Sequence, residues 1–527
     1  MFKYLKNDLP ASLVVFFVAL PLCLGIALAS GAPLFSGLIA GIIGGVVIGS
    51  LSGSQLGVSG PAAGLAVIVL TAITKLGSYE TFLLAVIIGG ILQIILSILK
   101  AGVIGYYFPS AVIKGMLAGI GIIIFLKQLP HAVGYDADYE GDLDFFQADG
   151  ENTFSALSSM LDHISMGAVL VTLISLTILL VWDKVLAKKH NFFKIVPGPL
   201  VAVIVGIIYN TFVDPSTGLS IMDEHLVSVP VPDGISSFFG QFTFPNFGAI
   251  TNYEVWVIGV TIAVVASLET LLSVEAADKL DPEKRVTPTN RELFAQGTGN
   301  IVSGMIGGLP ITQVIVRSSA NVQSGGKTKL STVMHGLWLL LAIILIPNLI
   351  NQIPLAVLAS VLLIIGYKLG SPAKFVEMYK LGKGQFIPYV VTVIGVVFTD
   401  LLMGIGLGLA VGITSILIRS YKNSHFLHIH ENDNGDHRVR MTLAEEVSFL
   451  NKGAILRELN NLPDNTFLEL DVRKTIRLNY DILEILDEFA YKSKAKNIDI
   501  RVISNRGEFH NPDSFIDIFL RRKEVAA

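Results

Sequence analysis

The chain has 527 residues, 52% of them hydrophobic and only 15% charged, with a formal net charge of −4. A soluble protein carries about a quarter charged residues, so an ordinary soluble enzyme is excluded, and no basic stripe suggests nucleic acid. The one cysteine, Cys23, lies in the first apolar run, which rules out an internal disulfide or a cysteine metal cluster and leaves a small packing residue.

Apolar runs of about 20 residues, the length of a membrane-crossing helix, recur as far as residue 420. The pattern predicts segments near 9–29, 33–50, 61–76, 81–99, 109–128, 164–183 and 195–213. A second set follows near 254–275, 292–306, 313–324, 328–347, 354–369, 385–400 and 401–419. Segments 61–76 and 313–324 are too short to span alone. The N-terminal stretch MFKYLKNDLPASLVVFFVALPLCLGIALASGA has Lys3, Lys6, an apolar core and a small-residue end, as a signal peptide does. It reads as a retained first helix, because an internal repeat needs it.

The loops sort by charge. Segment 129–163 lacks Lys and Arg but carries Asp136, Asp138, Glu140, Asp142, Asp144, Asp149 and Glu151, and 214–253 also lacks Lys and Arg. Lys184, Lys188, Lys189 and Lys194 fall in 183–194, Lys279, Lys284, Arg285 and Arg291 in 279–291, and Lys368, Lys374, Lys380 and Lys383 in 368–383. The positive-inside rule then places both termini in the cytoplasm, with the two Lys/Arg-free loops outside; the expected location is a bacterial-type plasma membrane.

FPSAVIKGML (108–117) aligns with IPLAVLASVL (353–362), and SGPAAGLAVI (59–68) with GLPITQVIVR (308–317). The similar offsets imply two halves of seven segments, about 7–213 and 254–420. Since seven is odd, the second half is inverted, a hallmark of secondary transporters. In each half the third segment is interrupted: 53–61 and 307–310 read as extended stretches ending in a proline at a helix start. Two half-helices meeting at mid-membrane would aim free N–H groups and partial positive charge at one spot, an anion site. Arg317 lies close to the second start. An arginine at mid-bilayer costs roughly 2.5–3.5 kcal/mol on insertion scales, which a wet cavity and a bound anion would offset.

After residue 420 the composition becomes that of a soluble domain. HFLHIHENDNGDHRVRMTL (425–443) reads as two strands about an Asn-Gly-Asp turn. Helix 452–462, strand 466–471, helix 480–494, strand 498–504 and helix 513–522 follow, a small α/β domain. His425, His428 and His430 read as surface strand histidines, since no cysteine or carboxylate completes a ligand set.

VSGPAAGLAV, ASLETLLSVEAADKLDP (266–282), TNRELFAQGTGNIVSGMIGGLP (289–310) and VRSSANVQSGGKTKL (316–330) resemble the SulP family of anion transporters over about residues 7–420. The resemblance implies a polytopic α-helical membrane protein of about 14 transmembrane segments in a 7+7 inverted repeat. Segments one to four and eight to eleven form a core that moves past a gate like an elevator. It also implies a homodimer. The anion would lie beside Leu22 and Ile26, Ala62, Ala63 and Gly64, and Ile315, Val316 and Arg317. Glu269, Ser273 and Gln313 fall where the family places a coupling cation. Glu269 is open to two roles, carrying a proton or cation, or serving as the counter-ion of Arg317. VALPLCLGIALASG looks closer to bicarbonate-type carriers, yet Arg317 follows the pattern of other members. The tail resembles a STAS domain. There a Ser or Thr often precedes the second helix, where this chain offers Thr475 and then Asn479-Tyr480-Asp481.

The expected organisation is thus a transporter domain at 1–420, a linker and hairpin at 421–436 and a cytoplasmic STAS-like domain at 437–527. The expected function is secondary active transport of a small inorganic anion, bicarbonate first and sulfate second, with proton or sodium coupling. The alternatives are a nucleobase carrier of the same fold, or an anion channel or motor. A nucleobase carrier would hold acids on both the eighth and tenth segments, and 311–324 contains none. No zinc ligand set, P-loop or nucleophile motif supports an enzyme, and no cofactor is expected.

Overall fold

The computed structural model describes residues 2–137, 145–146, 152–186, 189, 193, 196–214, 217–229, 240–431 and 437–520. Asp138, Glu140, Asp142, Asp144, Asp149, Glu151, Lys188 and Lys194 lie outside the described residues. The chain divides into two compact units, Met1–Leu409 and Ala410–Ala527.

Each expected apolar segment coincides with a helix. The first seven are α1 (Leu5–Ala29), α2 (Leu34–Leu51), α3 (Ala63–Leu76), α4 (Tyr79–Ile98), α5 (Ser110–Val133), α6 (Met166–Val181) and α7 (Gly198–Phe212). The second seven are α8 (Tyr253–Leu280), α9 (Thr289–Met305), α10 (Ile315–Gln323), α11 (Leu330–Leu345), α12 (Leu355–Leu369), α13 (Lys383–Phe398) and α14 (Leu401–Lys422). Among the described residues, eight helices are long and apolar enough to cross a membrane. Large apolar side chains such as Ile98, Phe212 and Leu345 face outward, as lipid contact requires.

Local chemistry sets the helix starts. Pro109, Pro197 and Pro354 stand just before α5, α7 and α12, where a preset φ helps and the missing N–H costs nothing. Ser78 caps α4 by accepting from the Thr81 N–H at 3.2 Å, and Asn252 caps α8 by accepting from the Glu254 N–H at 3.0 Å. The matching prolines before α5 and α12 keep the 245-residue offset read from the sequence.

The helices pack in two groups. α4 lies against α8 and α9, while α1 lies against α2, α10 and α11. α5 packs on α12 and α13, and α6 on α7 and α12. Close approach of α4 and α9 depends on glycine: a Cβ at Gly297 would sit 2.6 Å from the Gly90 carbonyl oxygen.

Two short strands cross at the centre of the first unit. β1 (Ser59–Pro61) runs antiparallel to β2 (Ile311–Gln313), with Gly60 opposite Thr312. This corrects the expected helix starts. Pro61 sits in the strand instead of at the head of a helix, and α10 begins at Ile315 instead of directly after Pro310. The run Ile311-Thr312-Gln313 has the extended preference of β-branched residues and gains a partner strand. By helix start, α3 and α10 are therefore 252 residues apart.

In the second unit a five-stranded sheet has the order β3-β4-β6-β8-β9, formed by His425–Glu431, His437–Leu443, Phe467–Asp471, Asp499–Ser504 and Gly507–His510. β4–β6 and β6–β8 are parallel and the two outer pairs antiparallel. A second small sheet pairs β5 (Glu446–Val447) with β7 (Arg477–Leu478). Helices α15 (Lys452–Asn460), α16 (Tyr480–Ala495) and α17 (Phe515–Leu520) complete the unit, whose apolar core is its own. The layout is compatible with a STAS domain. β3 belongs to this sheet, so the expected linker and hairpin at 421–436 is partly an edge strand of the domain. β9 was not foreseen. Asn479, not a Ser or Thr, caps α16, accepting from the Asp481 N–H at 3.0 Å. His428 and His430 lie opposite Arg440 and Arg438 in the ladder, a poor setting for a metal cation.

Candidate functional site

The strand crossing is tied down on all sides. Val314 N–H donates to the Val58 carbonyl at 2.9 Å. The Ser318 hydroxyl accepts from the Val58 N–H at 2.9 Å and donates to the Val314 carbonyl at 2.7 Å. Asn300 on α9 holds both backbone groups of Ile311, accepting from its N–H at 2.6 Å and donating to its carbonyl at 3.0 Å. Thr270 on α8 accepts from the Gln313 N–H at 3.2 Å. Buried backbone needs such partners, and they fix where α3 and α10 begin. By helix geometry, the first N–H groups of each helix remain without intrahelical acceptors.

A cavity of about 310 Å³ opens beside these two helix starts. Leu22 and Ile26 of α1, Ala63 and Gly64 of α3, Glu269 and Ser273 of α8, and Ile315, Val316 and Arg317 of α10 line one side. Ile120, Ile124, Lys127 and Gln128 of α5, Leu362 of α12, and Asp400, Leu401 and Leu402 line the other. Nine of the residues singled out from the sequence thus meet in one cavity. Two do not line it. Ala62 is 1% exposed and turns into the packing just before α3. Gln313 is fully buried, and its amide lies against Gly57, where an added Cβ would meet Gln313 Oε1 at 2.5 Å. Strand alternation sends its side chain away from the cavity.

Arg317 is 1% exposed. Its Nε, Nη1 and Nη2 have no oxygen or nitrogen hydrogen-bond acceptor among the described residues. A Cβ at Gly60 would fall 1.9 Å from Arg317 Nη1, so only glycine lets the guanidinium rest on β1. The Cys23 thiol and the His335 imidazole are near enough to feel its charge. Cys23 is therefore a neighbour of the guanidinium as well as a packing residue. Glu269, 5% exposed, sets its carboxylate at the start of α3: a Cβ at Gly64 would lie 3.3 Å from Oε1. Arg317 and Glu269 share the cavity without a hydrogen bond between them.

Sequence reasoning missed Lys127, Gln128 and Asp400. Lys127 and Gln128 are 6% and 4% exposed, and they are the last residues of the expected segment 109–128. Asp400 lies at the junction of two expected segments, and its carboxylate accepts from the Met403 N–H at 2.8 Å as the cap of α14.

A second cluster lies past the end of α5. Asp136 accepts from His131 through one oxygen and from His225 through the other, the latter at 2.5 Å. Burial alone would raise the Asp136 carboxyl, but the two histidine hydrogen bonds outweigh it and hold it below its usual range. The same bond to Asp136 raises His225 above the ordinary imidazole value.

Comparison with known proteins agrees with this architecture. A sequence model described as the sulfate permease family matches residues 5–392. The Bacillus subtilis protein named "Putative sulfate transporter YvdB" is 28% identical over 404 residues, 77% of this chain and 72% of that protein. The solved transmembrane domain of the cyanobacterium bicarbonate transporter BicA is 25% identical, with a TM-score of 0.53, over 77% of this chain and 98% of that one. Murine Solute Carrier 26 family member A9, an anion transporter, shares the fold with a TM-score of 0.66 at 14% identity, over 95% of this chain and 86% of that one. The family and the relatives are membrane transporters, not enzymes. With three quarters of its length matched, a polytopic helical membrane fold in common and an interrupted-helix cavity at its centre, the chain belongs to the sulfate permease family of transporters.

Proposed function

We propose that the protein is a secondary active transporter of small inorganic anions, with the anion held in the cavity between α3 and α10. The carrying observation is Arg317: a buried guanidinium at a helix start, with three nitrogens lacking acceptors, facing a cavity. Buried donors left unpaired are costly, and a charge still more so. An oxyanion that accepts from the guanidinium and from the first N–H groups of α10 removes that cost. Leu22, Ile26 and Val316 supply the apolar wall that strengthens the electrostatics.

In this reading all fourteen helices form two inverted halves of seven. α1–α4 with α8–α11 make a core, and α5–α7 with α12–α14 make a gate. The packing groups support that division. The core slides past the gate and exposes the cavity to either side, with both termini in the cytoplasm of a plasma membrane and two copies forming a dimer. Bicarbonate stands first, because BicA is a bicarbonate transporter and VALPLCLGIALASG resembles such carriers. Sulfate stands second, because YvdB is named for it. Glu269 is the group available for a coupling proton or cation.

The test is uptake of labelled bicarbonate and sulfate into liposomes holding the purified protein, with sodium and pH gradients varied separately. Saturable uptake of either anion is expected. No movement of bicarbonate, sulfate, chloride or a dicarboxylate under any gradient would overturn the reading.

A further inference from the structure

The charged residues of the cavity divide evenly between its two walls. On one wall stand Arg317 of α10 and Glu269 of α8. On the other stand Lys127 of α5 and Asp400 at the head of α14. Each wall carries one cation and one carboxylate, and α5 and α12 of the second wall belong to the other packing group. Charge in a low-dielectric setting must be compensated nearby. The cavity as built is neutral in formal charge, so any anion entering it leaves an excess.

We propose that these four side chains set the valence of the anion, with Lys127 and Asp400 as specificity-determining residues: the cavity takes a monoanion together with one compensating proton or cation, and discriminates against a dianion. This rests on the reading of the cavity as the anion site. A monoanion leaves a single negative charge, which one proton on a lining carboxylate or one small cation cancels. A dianion leaves two. At an effective dielectric near 20, an uncancelled charge close to a carboxylate lowers affinity by more than about tenfold. The balance depends on Asp400 as much as on the arginine. Removing the negative charge of Asp400 leaves the cavity positive by one and suited to a dianion. Removing the positive charge of Lys127 does the reverse.

The geometry allows both changes without dismantling the fold. Asp400 accepts from the Met403 N–H at 2.8 Å, and asparagine is an equally good helix cap. Lys127→Gln removes the charge and keeps a polar, hydrogen-bonding side chain one atom shorter.

The experiment measures uptake of labelled sulfate and labelled bicarbonate in liposomes, at a pH where one is a dianion and the other a monoanion. The proteins are the unmodified chain, Asp400→Asn, Lys127→Gln and Arg317→Ala. Asp400→Asn is expected to raise the sulfate-to-bicarbonate ratio by about tenfold, and Lys127→Gln to lower it. If both variants scale the two anions equally while Arg317→Ala abolishes both, the valence inference is overturned and the anion site stands. If Arg317→Ala leaves uptake intact, the site and the inference fall together. Should Lys127→Gln fail to fold, the Asp400→Asn ratio decides alone. An unmodified protein that carries sulfate in preference to bicarbonate also overturns the inference.

Discussion

Arg317 is a buried guanidinium, and burying a charge without partners is costly. It rests on the backbone of Gly60, where there is no room for a methyl group. Gly60→Ala is therefore expected to push the guanidinium aside and weaken anion binding by at least about fivefold, read by equilibrium binding on folded protein. Arg317→Ala removes a charge-assisted donor set worth roughly 1.5–3 kcal/mol and leaves Glu269 as the excess charge of its wall. Adding Glu269→Gln should recover part of the lost binding. A double variant no better than Arg317→Ala alone would end the idea that the two charges compensate each other. These residues were legible in the sequence because intramembrane charge is expensive and so points to function. Lys127 and Asp400 were not, because each stands near the end of an apolar run, where a charge ordinarily reaches water.

The pair formed by Asp136 and His225 makes a pH prediction of its own. His225 has a raised value in the folded protein, so its contribution is complete below about 6.5 and is lost as pH rises through the folded value. Asp136 has a lowered value, so its contribution is present above about 3.8 and is lost as pH falls through the folded value. The stabilisation conferred by the pair should thus be greatest between those limits. The melting-temperature difference between the unmodified protein and His225→Gln should be larger at pH 6 than at pH 8. Equal differences at the two pH values would contradict it.

At the level of elements, apolar run length and proline placement made the fourteen helices readable to within a few residues. The strand crossing was not readable. Three-residue strands have no periodicity of their own, and β1 and β2 exist because they find each other across 250 residues of chain. That is why the helix start was read directly after Pro310. Gln313, which the family resemblance placed near a coupling cation, is turned toward Gly57 by strand alternation. The small-residue contacts between helices were equally silent. Gly297 and Gly90 let α4 and α9 touch. Gly297→Ala should destabilise the protein by about 1–3 kcal/mol through overpacking, seen as a lower melting temperature in detergent. An unchanged melting temperature would show that the two helices can part without cost. In the tail, β-strand alternation and helix periodicity predicted most elements, whereas β9 was missed because GEFH is short and largely polar.

On the scale of the whole molecule, one group of helices builds the candidate anion site and another faces it, and the chain also carries a separate α/β domain at the C-terminus. Removing residues 431–527 should weaken dimers in analytical ultracentrifugation yet leave anion binding intact. Lost binding in folded, truncated protein would give the tail a larger role. Because Arg317 is a fixed cation beside the site, transport is expected without sodium, with Glu269 available to carry a proton. The measurement that bears most directly on the central claim is equilibrium binding of labelled bicarbonate and sulfate to the purified protein and to Arg317→Ala, in sodium-free buffer. The account predicts saturable binding by the unmodified protein, weakened about tenfold or more by the substitution. Binding that requires sodium would remove Arg317 from its role as the fixed cation, and binding unchanged by Arg317→Ala would contradict the placement of the anion between α3 and α10.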